Sequence, residues 1–94
     1  MPPITLTGEG EMNSAKTALR GDYAVDWKTL GDCYYSADLR AKETSLDAKT
    51  VFTAAKAGSG TGNVYGLNAD DYFLKVITGP SPDCGWSVTL TPLP

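Results

Sequence analysis

The second half of this 94-residue chain repeats the residue pattern of the first at an offset of about fifty residues, and this constrains the fold more than any single residue does. Gly8-Glu9-Gly10 matches Gly58-Ser59-Gly60, Leu19 matches Leu67, and Asp22-Tyr23-Ala24-Val25 matches Asp71-Tyr72-Phe73-Leu74. The run from Cys33 to Leu39 matches the run from Cys84 to Leu90. One unit used twice predicts a single domain, residues 1–94, with a pseudo-two-fold internal repeat whose halves lie at roughly 4–42 and 50–91. The alternative is that both halves obey the same strand and turn rules independently. Either way the two cysteines fall at equivalent places, and equivalent places can face one another across a two-fold arrangement. A Cys33–Cys84 bridge is therefore the leading structural expectation.

A chain of this length buries only about 60–65% of its unfolded surface, so its stability is modest without help. A disulfide closing a loop of about fifty residues adds about 4 kcal/mol in the chain-entropy model. The competing reading is a pair of buried, reduced thiols acting as small hydrophobes. A bridge implies an oxidising destination. The start, Met1-Pro2-Pro3, runs straight into a strand-like Ile4-Thr5-Leu6-Thr7 with no basic and apolar leader pattern. The expectation is either a leader removed earlier or release without one, as virion proteins are released by lysis. The net charge is −3, and the eight basic residues are scattered singly, which argues against nucleic-acid binding. No stretch has the length of a membrane span.

Period-two alternation dominates the chain. Tyr23, Val25, Trp27 and Thr29 alternate with Ala24, Asp26 and Lys28, and Cys33, Tyr35, Ala37 and Leu39 alternate with Tyr34, Ser36, Asp38 and Arg40. Gly31-Asp32 between these runs reads as a hairpin turn. Tyr72, Leu74, Val76 and Thr78 oppose Phe73, Lys75 and Ile77 in a strand covered on both faces near its middle, and Trp86, Val88 and Leu90 alternate in a last strand stopped by Pro92. Gly58 to Gly62 and Asn68 to Asp71 read as turns, and Gly79 to Pro82 as a break. The segment from Ser45 to Ala57 reads as a strand, because Thr50-Val51-Phe52-Thr53 is β-branched and aromatic, with a short helical turn near Glu43 to Lys49. The expected fold is all-β, a small β-sandwich or jelly roll of seven to eight antiparallel strands. Trp27 and Trp86 are expected in its core rather than in a sugar-stacking platform.

The chain has no histidine, which removes the usual general base and the Ser-His and Cys-His nucleophile pairs. Zinc would lack four Cys/His ligands. Asp26 and Asp38, read as neighbours on one polar face, are the best geometric candidates for a glycosidase pair. With Lys28, Arg40 and Lys42 nearby, a solvated sheet face explains them better. Asp70-Asp71 after Asn68 has the oxygen ligands calcium prefers, but Asn and Asp also favour turns for local hydrogen bonds. Gly58-Ser59-Gly60-Thr61-Gly62 lacks the Lys and the helix start of a phosphate cradle. Arg20-Gly21-Asp22 spells an integrin tripeptide at a strand start, a match short enough to be accidental. Tyr34 and Tyr65, on the polar side of their runs, are the candidate binding residues, since tyrosine covers area at low entropy cost; they are also ordinary on sheet faces. No catalytic residue, metal or other cofactor is expected.

The succession LxGDYxVxW (Leu19 to Trp27), a strand that opens with Cys33, GLxxxDYFLxV (Gly66 to Val76) and CxWSVTLTP (Cys84 to Pro92) resembles small Gly/Thr-rich β-sandwich modules of exported actinobacterial proteins and actinophage virion accessory proteins. The resemblance spans roughly residues 4–91 and implies no transferable catalytic residues. The chain has no lipobox cysteine near its start, unlike the lipoprotein members, and this favours the virion side of the resemblance. The expected function is a non-catalytic structural or adhesive module at the virion surface, a capsid decoration or minor tail protein docked on a larger structural protein. The alternative is a secreted or cell-surface carbohydrate-binding domain whose partner is a glycan. Both place the chain outside the cell, with no nucleic-acid partner and no membrane span.

Overall fold

The computed structural model describes residues 3–41, 49–79 and 83–93. Among these, the alternating runs form β1 (Ile4–Glu9), β2 (Met12–Asn13), β3 (Thr17–Thr29), β4 (Tyr34–Arg40), β5 (Lys49–Ala54), β6 (Gly58–Gly79) and β7 (Gly85–Pro92). All pairings are antiparallel, in one open seven-stranded sheet of order β1-β7-β3-β6-β4-β5, with β2 also on β6. The all-β class is as the alternation predicts. The expected helical turn near Glu43 to Lys49 falls almost wholly outside the described residues, and its last residue, Lys49, opens β5.

β6 organises the sheet. From Gly58 to Tyr72 it pairs with β3, and from Phe73 to Gly79 it pairs with β4. On the edge opposite β4, Met12 and Asn13 pair with Val76 and Lys75, so β2 and β3 follow one another along β6. Ser14 bridges the gap between them: its N–H donates to the Leu74 carbonyl at 2.8 Å, and its hydroxyl accepts from the Leu74 N–H at 2.8 Å. A buried serine thus stands in for a missing ladder partner.

Three sequence expectations need correction here. Gly31-Asp32 is not a hairpin turn, because β3 and β4 do not pair; β6 lies between them. Gly58 to Gly62 is not a turn either but the first stretch of β6, paired with β3 from Val25 to Thr29. Asn68 to Asp71 is also strand, with irregular pairing: Leu19 faces Asp70, Gly21 faces Leu67 and Tyr23 faces Val64, so β6 carries extra residues on both sides of Leu67. Gly21 at φ +86° and Gly66 at φ +69° supply the left-handed geometry of these bulges.

The cross-strand partners explain why glycine is used inside strands. Gly8 lies opposite Trp86 and Gly60 opposite Trp27, and a Cβ at either glycine would overlap the indole it faces. Each ring lies over the backbone of its glycine, the same covering of a bare strand position that aromatic residues supply elsewhere. Trp86 is 1% exposed and donates from Nε1 to the Gly10 carbonyl at 3.2 Å. Trp27, half-buried, stacks on Phe52 of β5 with ring centres 4.8 Å apart. Both tryptophans therefore serve packing, as expected.

Cys33 and Cys84 are disulfide-bonded and buried, with Cα atoms 5.9 Å apart. They stand at the starts of β4 and β7, which the strand order separates by three intervals. Three intervals at about 4.8 Å span about 14 Å in a flat sheet. The sheet therefore curls until these strands approach, and Tyr35, Ala37 and Leu39 join Trp86, Val88 and Leu90 in one core cluster. Read inward from its two edges, the strand order meets β1, β7 and β3 from one side and β5, β4 and β6 from the other. With β3 laid on β6 and β7 on β4, Ala24 facing Thr91 and Thr29 facing Trp86 match Phe73 facing Arg40 and Thr78 facing Tyr35. The two GxG strings do not correspond in this scheme, since one closes β1 and the other opens β6.

Replacing both cysteines with alanine is expected to lower unfolding free energy by about 4 kcal/mol, read as a shift in the urea midpoint. Gly60→Ala is expected to cost about 1–3 kcal/mol by displacing Trp27, while Gly58→Ala, where a Cβ meets nothing within 4 Å, stays within about 0.5 kcal/mol. Equal losses at the two glycines would refute the indole-seat account.

Candidate functional site

Alternation along β4 sends Tyr35, Ala37 and Leu39 into the core and leaves Tyr34, Ser36, Asp38 and Arg40 on the outer face. The register sets their neighbours. Ser36 lies between Thr53 of β5 and Ile77 of β6, Tyr34 faces Gly79, and Asp38 lies between Thr50 and Lys75. The face thus divides into an uncharged aromatic and hydroxyl half and a charged half, where Arg40 Nη2 meets Asp38 Oδ2 at 3.3 Å. Over the uncharged half lies an open cleft of about 640 Å³. Tyr34, Ser36, Thr53, Ile77 and Gly79 line it together with Ala54 and Ala55. Tyr34 is 72% exposed and Ile77 45% exposed.

The backbone under Tyr34 is fixed on both sides. Cys33 before it is bridged to Cys84. Tyr35 after it accepts the Gly31 N–H at 3.2 Å and donates its hydroxyl proton to the Gly85 carbonyl at 2.9 Å. A solvent-facing ring on so constrained a backbone loses little freedom when a ligand covers it.

The other candidates are placed differently. Tyr65, 58% exposed, sits on the arm of β6 paired with β3, next to the Gly66 bulge, whereas Tyr34 stands against the far end of β6 at Gly79. The structure does not bring the two tyrosines together. Nor does it pair the carboxylates: Asp26 lies on β3 opposite Thr61 and Thr89, and Asp38 lies on β4 beyond β6, so the reading of them as neighbours on adjacent strands is corrected. Asp70 Oδ1 accepts the N–H of Asp71 at 2.8 Å, the local hydrogen bond weighed against calcium. In Arg20-Gly21-Asp22 the aspartate is engaged, its Oδ1 accepting the Gly66 N–H at 2.8 Å. A second cleft, of about 420 Å³, lies between Ala18–Arg20 and Ala69–Asp71 over Tyr23, whose hydroxyl accepts the Arg20 N–H at 3.1 Å.

Among the described residues no group of three or more His, Cys, Asp or Glu could hold a metal ion, and no helix is long and apolar enough to cross a membrane. Sequence reasoning passed over Ile77 and Gly79. The alternation alone puts Ile77 in the covered middle of its strand, and Gly79 reads only as a breaker. The alternation that placed Tyr34 outward placed Ile77 outward too, once the partner strand was known. Comparison with protein-family models, with curated proteins and with solved structures finds no match for this chain.

Tyr34→Ala is expected to leave stability within about 0.5 kcal/mol of the parent, as for an exposed sheet residue. Tyr35→Phe is expected to cost about 1–3 kcal/mol, because it strands the Gly31 N–H beneath the sheet. Urea titration with near-ultraviolet circular dichroism separates the two, and a large loss at Tyr34 would mean that its ring belongs to the core.

Proposed function

We propose that this chain is a non-catalytic structural or adhesive module, a virion-surface component held on a larger capsid or tail protein and presenting the face around Tyr34 for recognition. The observation that carries this reading is the uncharged aromatic and hydroxyl face on a backbone fixed by the disulfide. The polar groups inside the fold support it, because they serve architecture: Ser14 completes the ladder at Leu74, and Thr29 donates to the Lys56 carbonyl at 2.8 Å. Tyr72 likewise donates to the Asn68 carbonyl at 2.7 Å. The bridge supports an extracellular destination, where disulfides persist. The virion assignment within that destination rests on the sequence resemblance.

The same reading extends to architecture: a β-sandwich of two interlocked halves, one supplying β1, β3 and β4 and the other β5, β6 and β7. The placing of β1, β3 and β4 against β5, β6 and β7 in the strand order, and the curl that the bridge fastens, support it. In such a molecule neither half holds a sheet alone, since every strand pairing of β1, β4, β5 and β7 crosses between halves.

Two measurements test the proposal. Purified particles are expected to carry the chain in many symmetry-related copies, seen by mass spectrometry and in particle images. The isolated protein is expected to bind its target surface without chemical turnover and to lose that binding in a Tyr34→Ala/Ile77→Ser double variant that keeps its fold. Absence from particles would move the chain to a secreted domain, and binding unchanged by the double variant would remove this face from the function.

A further inference from the structure

The geometry points to a neutral saccharide as the ligand of the cleft beside Tyr34. This rests on the reading of the chain as a recognition module and names what its face recognises. The first argument is charge. The cross-strand rows that line the cleft, Tyr34 with Gly79, Ala54 with Tyr35 and Thr78, and Thr53 with Ser36 and Ile77, contain no charged side chain. The ionic groups nearest on that face, Asp38 with Lys75 opposite it and Arg40 beyond, lie on the next rows, where Asp38 meets Arg40 at 3.3 Å. A phosphate, an acidic sugar or a nucleic acid would find no counter-charge among the residues that line the cleft, and such ligands depend on one.

The second argument is chemical fit. A pyranose offers an apolar C–H face and a rim of hydroxyls. The cleft offers the counterparts: a phenol ring that is 72% exposed, the Ile77 side chain, and the hydroxyls of Ser36 and Thr53 on neighbouring strands. The sheet beside the ring is bare, since a Cβ at Gly79 would meet nothing within 4 Å. The volume of about 640 Å³ lies in the range of small-ligand sites, about 300–1,000 Å³. A stable protein partner would need about 800 Å² from this side with a desolvated apolar centre, and one tyrosine with one isoleucine does not make such a centre.

The third argument is internal to the molecule. With β3 laid on β6 and β7 on β4, so that Thr29 facing Trp86 matches Thr78 facing Tyr35, Gly79 opposite Tyr34 corresponds to Leu30 beside Gly85. There the glycine is covered: a Cβ on Gly85 would stand 3.1 Å from Leu30 Cδ1, and the Leu30 N–H donates to the Gly85 carbonyl at 2.9 Å. The fold therefore accepts a side chain over this gap on one half and leaves it open beside Tyr34 on the other. An opening that packing does not require, flanked by an outward ring on a fixed backbone, has the form of a binding site.

The test is titration of the isotope-labelled, disulfide-intact protein with cellohexaose, maltohexaose, xylohexaose, mannohexaose and chitohexaose, followed by amide chemical shifts. At least one is expected to shift Tyr34, Ser36, Thr53, Ile77 and Gly79 together. Tyr34→Ala is expected to weaken that binding about tenfold or more while the urea midpoint holds. Gly79→Val, which places a branched side chain beside the ring, is expected to weaken it as well. No shift at these amides with any of the five sugars at about 10 mM, or binding that collapses as salt rises, overturns the inference. If the sugars fail while Tyr34→Ala still abolishes attachment to the target surface, the recognition-module reading survives and the occupant is a protein. Failure of both measurements sinks both.

Discussion

The rest of the structure depends on a single strand that belongs to two pairings at once. β6 hydrogen-bonds β3 along its first stretch and β4 along its last, so whatever bends β6 decides how the two portions of the sheet meet. The bend is written into its backbone. Extra residues on both sides of Leu67 shift the register, Gly66 takes the left-handed conformation this requires, and the Asp22 carboxylate holds the Gly66 N–H. Tyr23 and Tyr72 then reach back to the backbone of the segments that precede them and fix the bulged region from both strands. The disulfide acts on top of this geometry. It fastens the starts of β4 and β7 after the curl has brought them close, and its contribution is to limit the unfolded chain.

Packing follows from the curl. A small all-β core has few residues with which to fill the space between its strands, and here the two tryptophans, Trp86 within the core and Trp27 packed against it, each lie over a glycine. Bare backbone lets the indole lie flat across the neighbouring strand, where a Cβ would overlap it. It also explains why a Gly-rich stretch, weak as an isolated strand, persists inside β6: Trp27 covers it, and Phe52 stacks on Trp27 from the other side.

The proposed function draws on what the core does not consume. Most of the aromatic residues are committed to packing or to hydrogen bonds with the backbone, whereas Tyr34 and Tyr65 remain largely exposed. Tyr34 differs from Tyr65 in its setting. Its neighbours in the chain are locked by a disulfide and by a hydroxyl bonded on two sides, its cross-strand partner is the bare Gly79, and the next row on the same face presents the hydroxyls of Ser36 and Thr53 and the side chain of Ile77 instead of charge. Tyr65 stands beside the Gly66 bulge and lines neither of the two clefts described above.

The sequence by itself determined which residues face inward along each strand, because the side-chain period of a strand is local: Tyr23 and Val25, Tyr35 and Leu39, Val88 and Leu90 are legible from their spacing alone. It also determined the disulfide partners, since two cysteines leave a single pairing. The outward position of Tyr34 was legible for the same local reason. Strand order was not. Gly58 to Gly62 and Asn68 to Asp71 have the composition of turns, and Gly31-Asp32 has that of a hairpin. Yet the first two lie within β6, and the third joins strands that never pair. Turn propensity records what a few residues prefer alone. A cross-strand tryptophan over Gly60 and a carboxylate on the Gly66 amide come from residues far along the chain, and they outweigh that preference. The same non-local pairing set Ile77 and Gly79 beside Tyr34 and carried Asp26 away from Asp38, so the cleft exists only in the folded sheet.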